Sequence, residues 1–174
     1  MFLLEQNLRL KQGLAPVANA FAAGSSLIID IRDCEHVLFV ALMGVAGGAD
    51  RITFTVDACS NAAAALTAQC KIMYRLGQVG GDNGEIMDDV VFQVTPATGS
   101  TQIAAADCAT TIHLIEVDAA EARRAGQAAA TAFDPQGVRL TWATSAAGGI
   151  VGAVLAIKGG LRYGADTLGP GVLV

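Results

Sequence analysis

Residues 35–59, EHVLFVALMGVAGGADRITFTVDAC, contain two β-type runs joined by a glycine-rich segment. In the second run, residues 52–57, apolar and polar residues alternate, which is typical of a strand with one face in solvent. The first run, residues 37–43, is apolar on both faces, as in a central strand that its neighbours cover on both sides. The stretch therefore predicts a hairpin in the core of the protein.

Other runs with the two-residue period of a strand lie on both sides of this stretch. Turns rich in glycine, proline and polar residues separate them, which favours antiparallel pairing over β-α-β units. We expect an all-β fold, an antiparallel β-sandwich that is jelly-roll-like, with about eight strands. These are residues 27–31, 37–43, 52–57, 71–76, 90–95, 111–117, 138–144 and 149–158. One short helix is expected to begin at Asp118-Ala119-Ala120-Glu121 and to end before Gly126.

The two ends of the chain differ from this strand-rich middle. Residues 1–26 hold one weakly alternating segment, then Gly13, Pro16 and a run of small residues. We expect an extended N-terminal arm of residues 1–26, a β-sandwich domain of residues 27–160 and an extended C-terminal arm of residues 161–174. Because ordering an arm costs entropy, such arms are expected to lie on another surface.

The composition is unusually apolar for a free monomer. Hydrophobic residues make up 53% of the 174 residues and charged residues 16%, with a mean hydropathy of +0.49. We expect much of this excess to lie in contacts between subunits. The net charge is −5 and the basic residues do not cluster, so nucleic acid is not expected as a partner. No apolar run reaches the ~18–20 residues of a membrane helix, and the N-terminus lacks the order of a secretory signal, so we expect synthesis in the cytosol and no membrane partner.

The cysteines and histidines predict no catalytic centre. Cys34, Cys59, Cys70 and Cys108 have no C-x-x-C spacing, which favours buried thiols over a disulfide framework or a zinc site. His36 and His113 stand far apart in the sequence, and no G-x-S-x-G motif accompanies them. Packed histidines are the favoured interpretation. A metal site of the cupin kind would need these two side chains to meet with a third ligand.

Three other features have a structural and a functional interpretation. The acidic loop (Asp82, Asn83, Glu85, Asp88 and Asp89) offers oxygen ligands for calcium, but its spacing is not that of an EF-hand, so a solvated loop is favoured. Residues 44–48 and 77–81 match no phosphate-loop motif and are expected to be turns. The aromatic residues lie on the apolar phase of their strands, which favours core packing over a sugar-binding platform: Phe54, Tyr74 and Trp142.

Several segments together carry a resemblance to a known family. They are GLAPVANA (13–20), SLIIDI (26–31), HVLFVALMGVAGGADRITFTVDAC (36–59), KIMYRLG (71–77), HLIEVDAAE (113–121), VRLTW (138–142) and RYG (162–164). In order and texture, residues 7–163 resemble the small β-sandwich capsid decoration, or cement, proteins of tailed bacteriophages.

The resemblance implies a structural virion protein on the outer surface of an icosahedral capsid. It implies a homotrimer that clamps neighbouring subunits of the major capsid protein, without a cofactor, a metal or a catalytic residue. The two arms would then lie on capsid subunits or sister protomers by strand addition. Two alternatives stay open: another virion part, such as a head-to-tail joining or tail protein, and a cupin-like jelly-roll enzyme that binds a metal. A carbohydrate-binding module would need an exposed aromatic patch.

Overall fold

The computed structural model describes residues 8–17, 24–43, 52–78, 92–94, 101–103, 111–144 and 152–160. They form twelve β-strands and one α-helix. The strands are β1 (Leu8–Val17), β2 (Gly24–Ser25), β3 (Ile29–Asp30), β4 (His36–Met43), β5 (Ile52–Cys59), β6 (Thr67–Gln69), β7 (Ile72–Gln78), β8 (Phe92–Val94), β9 (Thr101–Ile103), β10 (Thr111–Asp118), β11 (Gly137–Thr144) and β12 (Gly152–Gly159), and helix α1 (Ala119–Ala128) lies between β10 and β11.

Two antiparallel sheets build the sandwich that the sequence predicts. The first sheet has the order β1-β12-β4-β10-β7-β8. The second has the order β2-β11-β5-β6, and β3 and β9 join it by pairing with β11 and β5. Every pair is antiparallel, which agrees with the absence of long helical connections between the strand runs.

The pairing is nested from the ends of the chain towards its middle. β1 pairs with β12, then β2 and β3 with β11, then β4 with β10, and finally β5 with β6. A long hairpin rolled up across two sheets has this order, which is that of a jelly roll. Strands β7, β8 and β9 lie between β6 and β10 in the sequence and extend the two sheets.

The core hairpin expected from residues 35–59 is wrong. β4 pairs with β10 and β12 in the first sheet, whereas β5 pairs with β11, β6 and β9 in the second. The chain crosses between the sheets, so the apolar face of β4 meets the apolar face of β5 across the core. Phe39 of β4 and Phe54 of β5 accordingly belong to one buried cluster. The joining residues 44–51 lie outside the described part of the chain.

Part of the expected N-terminal arm belongs to the sandwich. Leu8–Val17 forms β1 and pairs along β12, from Leu8 opposite Gly159 to Val17 opposite Gly152. Ser26, at the end of the expected arm, is buried: its N–H donates to the Leu140 carbonyl at 2.8 Å, and its Oγ accepts from the Leu140 N–H at 3.0 Å. Residues 1–7 and 161–174 lie outside the described residues, so the arms there stay a prediction.

The core lies between the sheets and follows the strand periods. Alternate residues of β5, from Ile52 to Val56, are buried, and the threonines between them are half-buried. Burial of such side chains gives roughly 1.5–3 kcal/mol each for valine, isoleucine, leucine or phenylalanine. The expected core positions Phe54, Tyr74 and Trp142 are at most 6% exposed, so the prediction of core packing for these three aromatic residues is confirmed.

Helix α1 begins where the sequence predicts. Asp118 is its N-cap, and the Asp118 carboxylate accepts a hydrogen bond from the Ala120 N–H at 2.7 Å. The helix continues through Gly126 to Ala128, three residues beyond the expected end. Among the described residues, no helix has the length and apolar character needed to cross a membrane.

Replacing Gly126 with alanine should destabilise the protein, although alanine favours a helix by ~1 kcal/mol over glycine. A Cβ at this position would lie 2.6 Å from Pro135 Cγ and 2.8 Å from the Phe133 carbonyl oxygen. The backbone of the segment that follows the helix would have to move, and overpacking of this kind costs about 1–3 kcal/mol. We expect a lower midpoint of urea unfolding for Gly126→Ala.

The neighbouring exposed residue provides the matched control. Gln127→Ala adds helix propensity without filling a contact, so its midpoint should be unchanged or slightly raised. A Gly126→Ala variant as stable as Gln127→Ala would contradict the close packing of the helix against Pro135.

Candidate functional site

The outward side of the first sheet is apolar at its centre. In β4, Val37, Phe39, Ala41 and Met43 point into the core, so the residues between them point away from the second sheet. The sequence predicts that this strand is covered on both sides. Its outward residues are instead half-buried, and Leu42 keeps 36% of its surface exposed.

The strand register extends this apolar side to both neighbours of β4. Val40 lies opposite Leu114 of β10 and Leu155 of β12. The next row towards the end of β4 pairs Leu42 with Ile112 and Ala153, and the preceding row brings Ile157 beside Leu38. We call this set the outer face; it comprises Leu38, Val40, Leu42, Ile112, Leu114, Ala153, Leu155 and Ile157.

Charged residues border the outer face on the side of β7 and at one end of β10, and Arg75 of β7 lies opposite Leu114 in the strand register. Glu116 of β10 is exposed and lies between Leu38 and Met73 in the strand register, and Met73 is 40% exposed. One row further, the exposed Asp118 lies opposite His36. The eight residues of the outer face itself include no charged side chain. The outer face thus has an apolar centre and a charged margin on the side of β10 and β7.

A groove of about 280 Å³ opens beside this margin. Its lining residues include His36, Glu116, Asp118 and Glu121. The Glu121 carboxylate is already engaged, because Oε1 accepts from the Lys71 N–H at 3.1 Å and Arg124 donates to both oxygens at 2.7 and 2.8 Å. The Arg124 hydrogen bonds hold the pKa of Glu121 below its usual value. Within the described ranges, no three His, Cys, Asp or Glu side chains are grouped as a metal site.

The two histidines lie on opposite faces of the first sheet. His36 is half-buried and follows the outward phase of β4, whereas His113 is fully buried on the inward phase of β10. His113 Nδ1 and Tyr74 Oη share a hydrogen bond of 2.8 Å, and the His113 ring lies 5.6 Å from that of Phe54 between centroids. Burial lowers the pKa of His113 to about 4. The two side chains therefore do not form the shared metal site that the cupin alternative needs.

The three described cysteines are buried and free, as the spacing predicts. Burial raises the pKa of Cys34 and Cys59 to about 11 and that of Cys70 to about 12. Because the thiolate is the nucleophile and the metal ligand, these groups are unreactive near neutral pH. Cys108 lies outside the described residues.

A buried ion pair is the feature that the sequence analysis misses. Lys158 of β12 is fully buried, and its Nζ contacts the carboxylate of Asp33, which is 6% exposed. The two-residue alternation of β12 indicates that Lys158 is buried, since it follows Val154 and Ala156 on the inward side of the strand. The alternation of β12, continued to Lys158, places an ammonium group in the core.

Other sites proposed from the sequence fall outside the described residues. The acidic loop, residues 82–89, is one of them, so its calcium interpretation stays open. The glycine segment 44–48 is another. Of the segment 77–81, Gly77 and Gln78 belong to β7 and the remainder lies outside.

Comparison with known proteins leaves the family open. No family model matches the chain, and no curated protein matches it. Among solved structures, the chain is similar to a chain in a structure of infectious bursal disease virus Gx strain, with 8% sequence identity and a TM-score of 0.29. That similarity covers 90% of this chain and 34% of the viral one.

Proposed function

We propose that this chain is a structural virion protein, a decoration or cement protein that binds the outer surface of a phage capsid as a trimer and stabilises it. Its partners would be the major capsid protein and sister copies, without nucleic acid, membrane, cofactor or enzymatic activity. The outer face of the first sheet is the single observation that carries this proposal. Jelly rolls occur in viral capsid proteins, lectins and cupins, so the fold alone does not choose between these functions.

The outer face has the physical character of a permanent contact. Val40, Leu114 and Leu155 form a continuous apolar row at the centre of the sheet, where single exposed leucines on a monomer would be scattered. Covering each partly exposed leucine or isoleucine gains on the order of 1 kcal/mol. A partner that stays bound to this surface would remove these side chains from water, and the free energy so gained would stabilise the assembly.

We infer that a second copy of this chain covers the outer face. The chain carries a net charge of −5, so two copies repel each other unless they meet at an uncharged surface. The outer face is such a surface, while Glu116 and Asp118 lie at its margin, where solvent can reach them.

Leu42→Glu should convert the trimer into monomers. Leu42 is already 36% exposed, so glutamate is tolerated in the isolated fold but places a charge inside the subunit contact. Light scattering after gel filtration should give three times the chain mass of 17.7 kDa for the wild type and one chain mass for the variant. Thr53→Glu is the matched control, because Thr53 is a half-buried residue of β5 in the second sheet, and it should leave the trimer intact.

Binding to capsids tests the second part of the proposal. Expanded heads that lack this chain should bind the wild type in hundreds of copies per particle. A head-to-tail joining protein would instead form a ring of about a dozen copies. Because the binding sites repeat over the capsid, individually weak contacts become effectively tight. The Leu42→Glu variant should bind more weakly than Thr53→Glu. A wild-type monomer that does not bind expanded heads would overturn the proposal.

A further inference from the structure

Lys158 is an unusual residue for the centre of a sandwich. It lies near the end of β12, on the same inward side as Val154 and Ala156, and no part of it is exposed. An isolated ammonium group in such a place is very costly, because burial removes its hydration. A lysine here needs a specific compensating interaction.

Asp33 is the group that meets it. This residue lies in the connection from β3 of the second sheet to β4 of the first, and its Oδ1 contacts Lys158 Nζ. Among the described residues, this is the one hydrogen bond of the amine, although an ammonium group carries three N–H donors. A charged Lys158 would therefore keep N–H groups without a described acceptor in the core.

The neighbouring carboxylate, that of Asp30, is already hydrogen-bonded to another residue. Both oxygens of Asp30 accept hydrogen bonds from Arg32, at 2.5 to 3.1 Å. Asp33 is thus the carboxylate left to face Lys158, and the pairing of β4 with β12 in the first sheet holds the two groups together. Contact, burial and fixed orientation are the conditions under which two groups react with a high effective concentration.

We propose that Lys158 and Asp33 join covalently as an intramolecular isopeptide bond. The Lys158 ammonium first transfers a proton to the Asp33 carboxylate, which gives a neutral amine and a carboxylic acid. Nζ then attacks Cγ, the Nζ–Cγ bond forms, one Cγ–O bond breaks, and that oxygen leaves with two protons as water. The balance is one amide and one water from one ion pair, without an oxidant, a reductant or a co-reactant.

Burial favours this reaction in two ways. Lys158 is fully buried and Asp33 is 6% exposed, so the amine and the carboxyl group face each other and not solvent. Once water leaves the core, little of it remains to reverse the reaction. The amide also leaves fewer buried N–H groups without an acceptor, because it carries one N–H whereas the ammonium carries three.

The bond would lock the last described strand to the connection between the two sheets. Residues 33 and 158 are separated by 125 positions, so the link closes most of the sandwich into one covalent loop. Unlike a disulfide, an amide is not reduced in a cytosol. The inference is independent of the proposed function, although a covalent staple suits a protein that must resist mechanical load.

The intact mass of the denatured wild-type chain tests the proposal directly. The expected mass is lower than that of the sequence by the mass of one water molecule. Trypsin should then fail to cleave after Lys158 and should release one branched peptide that joins residues 33–51 to residues 140–162. A mass equal to that of the sequence, in protein that has folded, would overturn the bond and leave an ion pair.

Three variants locate the loss of water. Lys158→Met and Asp33→Ala should each restore the full mass expected for the variant sequence, whereas Lys71→Met, at a half-buried lysine outside the pair, should keep the deficit. The wild-type measurement stands even if a variant fails to fold. A deficit that persists in Lys158→Met, or one accompanied by normal cleavage after Lys158, would assign the loss to dehydration elsewhere and overturn the proposal.

Discussion

Phe39→Ala is expected to lower the free energy of unfolding by about 3–5 kcal/mol. Phe39 is fully buried in β4 and belongs to the cluster that joins the two sheets. Truncation removes its transfer energy and leaves a cavity that strands paired on both sides cannot easily close, since β4 lies between β12 and β10. Because a folded domain is stable by only about 5–15 kcal/mol, this one change removes a large share of the total.

Val40→Ala on the same strand is the control for the loss of strand propensity. Val40 points outward and is half-buried, so its truncation in the monomer should cost well under half as much as that of Phe39. The measurement is chemical unfolding followed by tryptophan fluorescence, since Trp142 is buried in the same core. Both truncations are made in the Leu42→Glu background, which should be monomeric. Equal losses there would mean that the fold itself covers both sides of β4 equally, against the sandwich described above.

Acidification is expected to remove up to about 3 kcal/mol of stability through His113 alone. Burial lowers the pKa of this imidazole from 6.5 to about 4 in the folded protein. Above about pH 6.5 neither state binds the proton and the stability is complete. Between about pH 6.5 and pH 4 the unfolded chain binds a proton that the folded chain excludes, so stability falls with pH in this window and levels off below it.

The environment of His113 explains why the proton is excluded. The ring packs against Phe54 and shares its Nδ1 hydrogen bond with the Tyr74 hydroxyl, and its burial disfavours the charged imidazolium. Asp30 and Glu121 also lose stabilising interactions in acid, but their pKa values are lowered from 3.8 and 4.5, which places their effect at lower pH. The higher window therefore belongs to the histidine.

His113→Gln should flatten the stability profile between about pH 6.5 and pH 4 while lowering stability at neutral pH. Glutamine retains a polar group near Tyr74 but does not titrate. His36→Gln, on the outward side of β4, is the matched control and should keep the acid-dependent loss. Urea unfolding at several pH values measures the effect, and an unchanged slope in His113→Gln would refute the assignment.

Much of the local structure follows from the sequence period. The alternation in residues 52–57 predicts correctly which side of β5 is buried, because side chains of a strand point alternately to its two faces. Asp118 is the N-cap that the D-x-x-E spacing indicates. These features depend on near neighbours along the chain, so a short window contains their cause.

The candidate outer face is visible in the sequence only in part. Residues 37–43 are apolar on both faces, which predicts that both sides are covered within the fold. The other residues of the outer face come from β10 and β12. The register of these strands with β4 depends on pairing over long sequence distances. The same holds for Asp33 and Lys158, which are 125 positions apart in the sequence and meet through the pairing of β4 with β12.

The sequence by itself determined the class of the fold, the faces of the strands and the start of the helix, because backbone sterics and hydrophobic period act within a few residues. Only the tertiary structure decided that β4 and β5 lie in different sheets, that Leu8–Val17 joins the sandwich at β12, and that a lysine and an aspartate share its core. Strand partners and buried pairs are selected by the total apolar area that the closed sandwich removes from water. This buried apolar area is a property of the whole folded chain, so no short stretch of the sequence indicates it.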